Sequence, residues 1–298
     1  MRNKSIWFFF LNLLSIFAGV IVLPKGIRAE ASCQKELFDL PLRSIDIRGH
    51  NILVVDISIE DVPAAAAVLD TGAAYNVIFG EGKQSGDAGK EIETSPPRLL
   101  KVKEFKRSIA FRAVPVAGTY LDYLSTYGVA PLTINPSLIN ESGYTVVDIL
   151  HKRLVGFEDE ASTRACYGYG TRAVMSKDEI VRGTLGIEAR INSTMSGRVN
   201  LDTGRILSSF AEQILPMALA RKAPEWAYRG VTGENNIPLI VGAYEVEIGG
   251  ITRQLKTAEI SGKEAGYPDY IGILGLDVLD QSILILPPRE NGYWELSF

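Results

Sequence analysis

Two short stretches carry the residues best suited to chemistry. "VLDTGAAYNVIF" at 68–79 and "VNLDTGRILSSF" at 199–210 each end an apolar run in an aspartate, Asp70 or Asp202, followed by Thr-Gly and a return to apolar residues. The two aspartates are 132 residues apart. Two buried carboxyls brought within about 3 Å cannot both ionise, so one keeps its proton well above the usual range while the other is depressed. Such a pair titrates as a unit. A water between them gives a proton to one carboxylate while the other donates to a carbonyl oxygen, which is acid–base hydrolysis of an amide without a covalent intermediate. Gly72 and Gly204 let the backbone turn tightly and approach the opposite loop. Thr71 and Thr203 are placed to hydrogen-bond across to that loop. The plainer alternative, two unrelated turn or cap aspartates, has to account for matching context on both sides of both triplets.

Other chemistries find few residues to use. The 298-residue chain has two histidines, His50 and His151, and two cysteines, Cys33 and Cys166. None of these forms a cluster with metal-ligand spacing, so no metal is expected. No Gly-x-Ser-x-Gly turn is present for a serine nucleophile. Gly168-x-Gly170 lacks the third glycine and following helix of a nucleotide loop, and no organic cofactor is expected. A formal net charge of −4 gives no reason to expect nucleic acid as a partner.

The elements that must position the aspartates read mainly as short strands. "SIDIRGHNILVVDISIEDV" alternates apolar and polar residues about Gly49-His50-Asn51, and "YEVEIGGITRQLKTAEI" reads as a hairpin turning at Gly249-Gly250. "RLLKVKEFKRSIAFRAVPV" reads as strands with Arg98, Lys101, Lys103, Lys106 and Arg107 on one face, either solvated or set against an anionic partner. "ILSSFAEQILPMALARK" is the clearest helical pattern, with Pro216 bending or ending it, and "SKDEIVRG" suits a short capped turn. The repeat extends beyond the triplets: 127–157 and 271–298 both run from an apolar pair through an apolar segment and a turn to a final strand. Two related halves follow, about 42–157 and 180–298, with 158–179 as connection.

Residues 1–31 read as a secretory signal: Arg2 and Lys4, an apolar run from Ile6 to Leu23, and Ala29-Glu30-Ala31 as cleavage site. The run is long for that purpose, and an uncleaved membrane anchor is the alternative. Either reading places the rest of the chain outside the cytoplasm, secreted or periplasmic. There Cys33 and Cys166 can form one disulfide, the alternative being two unpaired thiols.

Together these residues resemble a pepsin/retropepsin-type aspartic protease in single-chain form. The resemblance rests on Asp70-Thr71-Gly72-Ala73, on Asp202-Thr203-Gly204, and on Ile273-Leu274-Gly275 in "GILGLDVL", which matches the family's apolar-apolar-Gly segment beneath the catalytic loop. "VTGENNIPLIVGAYEVEIGG" at 231–250 is similar to the family's flap hairpin and following strands. It implies a mainly β, bilobal fold of β-barrels, an active cleft between the lobes, and an extended peptide or protein substrate bound by a monomer. It implies Asp70 and Asp202 as the catalytic pair, with Thr71, Gly72, Ala73, Thr203, Gly204, Ile273, Leu274 and Gly275 supporting the loops. The 231–242 hairpin is expected to close over substrate. Tyr75 and Asn76 are placed to border the cleft, although apolar packing accounts for Tyr75 equally well. Tyr120 and Tyr123 are both candidates for a flap tyrosine. Arg205 departs from the small residue usual after the second triplet and is a candidate modulator of the pair. In the first half, Pro131 is expected to stand where Gly275 stands in the second. A protease-like domain that only binds peptides is the alternative function.

Overall fold

The computed structural model describes residues 35–47, 50–59, 62–81, 94–102, 105–116, 118–211, 221–222, 226–230, 233–237, 239–261 and 270–298. The first half runs β1 (Glu36–Ile47), β2 (His50–Ile59), β3 (Val62–Leu69), β4 (Asn76–Glu81), β5 (Thr94–Val102), β6 (Phe105–Val116), α1 (Gly118–Thr126), β7 (Val129–Ile134), β8 (Tyr144–Asp148) and β9 (Arg153–Phe157). A connecting stretch carries α2 (Glu160–Tyr167), β10 (Thr171–Val174) and α3 (Lys177–Arg182). The second half opens with β11 (Leu185–Ile191), β12 (Met195–Leu201), β13 (Ser209–Ala211), β14 (Arg221–Lys222), β15 (Trp226–Gly230) and β16 (Gly233–Ile237). It continues through β17 (Leu239–Ile248), β18 (Ile251–Ser261), β19 (Gly272–Leu274), α4 (Leu276–Leu279), β20 (Ile283–Leu286) and β21 (Tyr293–Ser297).

Strand pairing gives both halves the same plan. In the first, β2-β3-β7-β4-β6-β5 closes on itself through a β2–β5 pairing; in the second, β11-β12-β19-β13-β18-β17 closes through β11–β17. Closure leaves each barrel without the unpaired strand edge that an open sheet would expose. The halves share an antiparallel sheet, β10-β21-β20-β8-β9-β1, at whose centre β8 pairs with β20, Val147 opposite Leu284 and Val146 opposite Ile285. β8 lies between two strands and is buried along its whole length, which suits its run of β-branched residues. One hydrophobic core spans both halves and includes Leu69, Ile134, Leu201, Leu274 and Leu284. The mainly β, two-halved barrel architecture expected from the sequence is therefore the one observed.

Several local readings also hold. Gly249 and Gly250 take φ of 57° and 83° between Ile248 and Ile251, the positive values that a two-residue hairpin turn requires. α3 has a capping box between Ser176 and Glu179 and ends at Gly183, which is left-handed at φ 69°.

Three readings need correction. The segment expected to be helical at 206–222 holds β13 and β14; 212–220 lies outside the described residues. Ser208, Ser209 and Phe210 are all buried, and pairing of β13 with both β18 and β19 overrides the helical spacing of the apolar residues. The basic residues of β5 and β6 do not share a face. Arg98 and Lys101 are an odd number of residues apart and so must point to opposite sides of a strand. Lys101 and Lys106 are cross-strand partners on the exposed side, whereas Arg98 and Arg107 are half-buried beside Leu100 and Ile109. Lys103 lies outside the described residues. Finally, the hairpin expected over 231–242 has its arms at β15 and β16, with Gly230 opposite Gly233, so it begins before 231; 231–232 and 238 lie outside the described residues.

Candidate active site

Each aspartate sits where its chain makes the same crossing. β3 runs parallel to β7, with Leu69 opposite Ile134, while β4 runs antiparallel along the other side of β7, with Val77 opposite Thr133. The residues from 70 to 75 therefore cross over the end of β7. β12 and β13 straddle β19 likewise, with Leu201 opposite Leu274 and Ser209 opposite Ile273. The last strand residue before each aspartate is completely buried. The aspartate N–H groups then complete the ladders, Asp70 donating to Ile134 O at 2.9 Å and Asp202 to Leu274 O at 3.0 Å.

The loops lock to one another reciprocally. Thr71 N donates to Thr203 Oγ1 and Thr203 N to Thr71 Oγ1, both at 3.1 Å. The hydroxyls donate onward, Thr71 Oγ1 to Leu201 O at 2.9 Å and Thr203 Oγ1 to Leu69 O at 2.8 Å. Both threonines are buried with their N–H and hydroxyl groups bonded, the condition under which a buried hydroxyl is not a cost. The glycines bring each loop against the opposite carboxyl. A Cβ on Gly72 would stand 2.6 Å from Asp202 Cγ, and one on Gly204 would stand 2.6 Å from Asp70 Cγ.

Asp70 Oδ1 accepts from Gly72 N at 2.8 Å and Ala73 N at 2.9 Å, and Asp202 Oδ1 from Gly204 N at 2.9 Å. Burial, followed by the charge of Asp202 and the hydrogen bond to it, pushes Asp70 well above the ordinary carboxylate range; the Gly72 and Ala73 N–H groups oppose that rise. Two carboxyls that face each other in this way can hold one proton between them.

The support beneath the loops is where sequence reading fell short. Registers with β3 and β12 make Ile134 the counterpart of Leu274, so Asn135 corresponds to Gly275. Pro131 is an exposed residue within β7, four residues short of that position. The proline that matters is Pro136, which stands where the second half has Leu276. Leu276 N donates to Arg205 O at 2.9 Å. Pro136 has no N–H to offer the corresponding Ala73 O. The Asn135 Nδ2 amide supplies that donor instead, at 2.5 Å, while Asn135 Oδ1 accepts from Ser137 N and Ser137 Oγ. In the second half no side chain fits at this position, since a Cβ on Gly275 would stand 2.8 Å from Arg205 O.

Six residues beyond each aspartate, a buried polar side chain takes the next backbone group. Asn76 Oδ1 accepts from Asn135 N at 2.9 Å, and Ser208 Oγ accepts from Gly275 N at 3.0 Å. Ser208 in turn bonds through N and Oγ to the Asp277 carboxyl, which burial raises and those bonds partly restore. Asn135, Ser208 and Asp277 went unread as site residues. The signal for Ser208 was a polar residue six positions after the aspartate in both copies, Asn76 and Ser208.

Arg205 lies half-buried at the second loop with its guanidinium donating to Ser209 Oγ, and its N–H goes to Asp202 O at 3.2 Å, where the corresponding Ala73 N serves the carboxylate. Ile273 and Leu274 are buried in β19. Tyr75 is 40% exposed. Tyr123, on α1, packs its ring against Tyr127 just past the end of that helix, whereas the Tyr120 side chain lies outside the described residues. His151 bonds through Nδ1 to the buried Asp148. Cys166 packs with Tyr144, Phe157 and Tyr167; Cys33 lies outside the described residues.

Among solved structures, the chain is similar to an aspartic proteinase from Irpex lacteus at 12% identity and a TM-score of 0.48, over 87% of this chain and 96% of that one. No protein-family model matches the chain, and no curated protein does.

Proposed function

We propose that this chain is an aspartic endopeptidase in which Asp70 and Asp202 activate a water to hydrolyse a peptide bond. The observation that carries the proposal is the reciprocal locking of two like-built loops, which sets the two carboxyls against each other and raises Asp70. In the half-ionised pair, the carboxylate removes a proton from the water as it attacks the peptide carbonyl carbon. The protonated partner donates to the carbonyl oxygen, giving a tetrahedral diol. Transfer of a proton to the amide nitrogen then releases the amine, and the pair returns to its singly protonated state. The Thr71, Thr203, Gly72 and Gly204 contacts hold this geometry before substrate arrives, so little reorganisation is left to the reaction.

The same proposal assigns the hairpin of β15 and β16 to closing over an extended peptide, and the lobes to about 42–157 and 180–298, joined by 158–179. It takes residues 1–31 as an export signal or anchor, a Cys33–Cys166 disulfide in the exported chain, and a monomer as the working form. The chemistry asks for no metal or organic cofactor. One shared proton gives a bell-shaped pH profile on the acidic side.

The test is cleavage of a mixed peptide library by residues 32–298 between pH 3 and 8, beside Asp70→Asn and Asp202→Asn. Cleavage that both substitutions abolish supports the proposal. Cleavage that survives either substitution removes the pair from the mechanism. A folded protein that binds peptides but cuts none at any pH would make this a binding domain.

A further inference from the structure

The rim of the first loop carries charge that the hydrolytic chemistry does not use. Tyr75 lies five residues beyond Asp70. Arg112, on β6, lays its guanidinium over the Tyr75 ring, with Cζ 3.1 Å from the ring centroid. Arg289, in the turn between β20 and β21, donates from Nε and Nη2 to Ser137 Oγ at 3.2 and 2.9 Å. Ser137 Oγ is bonded to Asn135, and Asn135 to Ala73, so Arg289 is tied to the loop that carries Asp70. Gly183 makes room for it: a Cβ there would stand 2.1 Å from Arg289 Nη2.

Charge around this rim is unbalanced. Arg107 lies 3.6 Å from Glu141 and also donates to Ser142 Oγ. Glu141 and the Tyr75 phenol are near enough to Arg289 to favour its charged form, but burial outweighs them and lowers its pKa. Among the described residues, neither Arg112 nor Arg289 has an ion pair with a carboxylate. Two half-buried guanidiniums, Arg112 and Arg289, therefore flank Tyr75, and the carboxylate that acts on Arg289, Glu141, is 60% exposed and is itself 3.6 Å from Arg107. A guanidinium stacked on an aromatic ring keeps its in-plane N–H groups free for a planar acceptor such as a carboxylate.

We propose that Arg112, Tyr75 and Arg289 form a subsite that selects an acidic side chain of the substrate. The inference rests on reading the Asp70/Asp202 cleft as a peptide site and adds the substrate's chemistry to it. Five residues of chain reach at most about 18 Å. An extended peptide advances about 3.3 Å per residue, so the selected residue lies within about five positions of the bond cut. The stacked Tyr75 ring holds Arg112 in place, and Ser137 holds Arg289, so the carboxylate meets donors already ordered.

The experiment takes one peptide cut by the chain and places Asp or Asn, in turn, at each of the five positions on either side of the cut. kcat/KM is measured at pH 6 for the wild type, Arg112→Gln and Arg289→Gln, and binding of the same peptides to Asp70→Asn is measured by fluorescence anisotropy. Asp is expected to be favoured over Asn by about tenfold at one position, the scale of a charge-assisted contact. That ratio is expected to fall toward one in both Arg variants and with added salt. Equal use of Asp and Asn at every position, or a ratio that survives both substitutions, overturns the subsite and leaves the hydrolytic reading intact. If no library peptide is cut, the anisotropy arm uses a fixed neutral library peptide and its Asp-substituted set on Asp70→Asn and on that variant carrying Arg112→Gln. Arg112-dependent preference there sustains the subsite while refuting hydrolysis, and its absence refutes both. Should Arg289→Gln fail to fold, Arg112→Gln alone decides.

Discussion

Asn135→Gly tests how the loop that carries Asp70 is held. The substitution removes the Nδ2 donor from Ala73 O and the Oδ1 acceptor from Ser137 N and Oγ, but keeps the Asn135 N–H on Asn76 Oδ1. An unpaired buried carbonyl costs about 1–3 kcal/mol. Replacing an Asn cap by Gly adds a few tenths, for a total of about 2 kcal/mol because Ala73 O is only partly buried. In a domain of this size that corresponds to a fall in Tm of about 4–8 °C. The decisive step is rescue. Pro136→Leu restores an N–H where the second half has Leu276 N on Arg205 O. In the Asn135→Gly background it re-pairs the Ala73 carbonyl, worth about 2 kcal/mol, against about 0.4–1 kcal/mol of proline's restraint on the unfolded chain, and so returns about 1 kcal/mol net. In the wild type, where Nδ2 already occupies Ala73 O, it gains nothing and loses about 0.4–1 kcal/mol of proline's restraint on the unfolded chain. Thermal unfolding followed by circular dichroism gives the cycle, with peptide cleavage as a second reading. A cost below about 0.5 kcal/mol for Asn135→Gly, or simple additivity of the two substitutions, would refute the reasoning.

Two further predictions come from the carboxyl pair. Gly72→Ala and Gly204→Ala each place a Cβ 2.6 Å from the opposite aspartate's Cγ, so the carboxyl must move. Displacements of about 1 Å cost on the order of a hundredfold in rate, so kcat/KM should fall by that much with the circular dichroism spectrum unchanged, and wild-type rates would contradict the close approach. The raised Asp70 acts on stability with a definite sign. Between the unfolded value of 3.8 and the raised folded value, the native state binds more protons than the unfolded one, so stability falls as pH rises through that window. Asp70→Asn removes this slope. Its Tm should exceed that of the wild type near neutrality by a margin that shrinks toward pH 4, and a constant or inverted difference would count against a shared proton.

What could be read from the sequence divides by the range of the interaction that decides it. The Gly249-Gly250 turn and the Ser176/Glu179 cap are settled within a few residues, and both stand as expected. The Asp-Thr-Gly loops were legible because each is short, buried and repeated. The match of Pro131 to Gly275 failed because it depends on which residue of β7 lies beside Leu69, a strand register that turn chemistry does not announce. The stretch from 206 failed because apolar residues at helical spacing were outweighed by pairing of β13 with two strands distant in sequence. The basic stripe failed for a simpler reason. Its residues mix odd and even positions, and a strand sends those to opposite faces.

The pattern of agreement between the halves has a physical cause. Contacts that cross between the two loops are isologous: Thr71 meets Thr203 as Thr203 meets Thr71, and each glycine meets the other loop's aspartate. In such a contact a change on one side alters a surface that its own counterpart must match, so the two copies are held to the same residues. The hydrogen bonds from the supports to the backbone of the loops each stay within one half. The N–H of residue 135 or 275 and the carbonyl of 73 or 205 are shielded from water wholly or in part, and each finds a partner. Any group that reaches them will serve. The first half uses the Asn76 and Asn135 amides, the second the Ser208 hydroxyl and the Leu276 N–H, with Asp277 fixing Ser208. The same backbone is reached through different chemistry, and identity survives in the three residues at which the halves face each other.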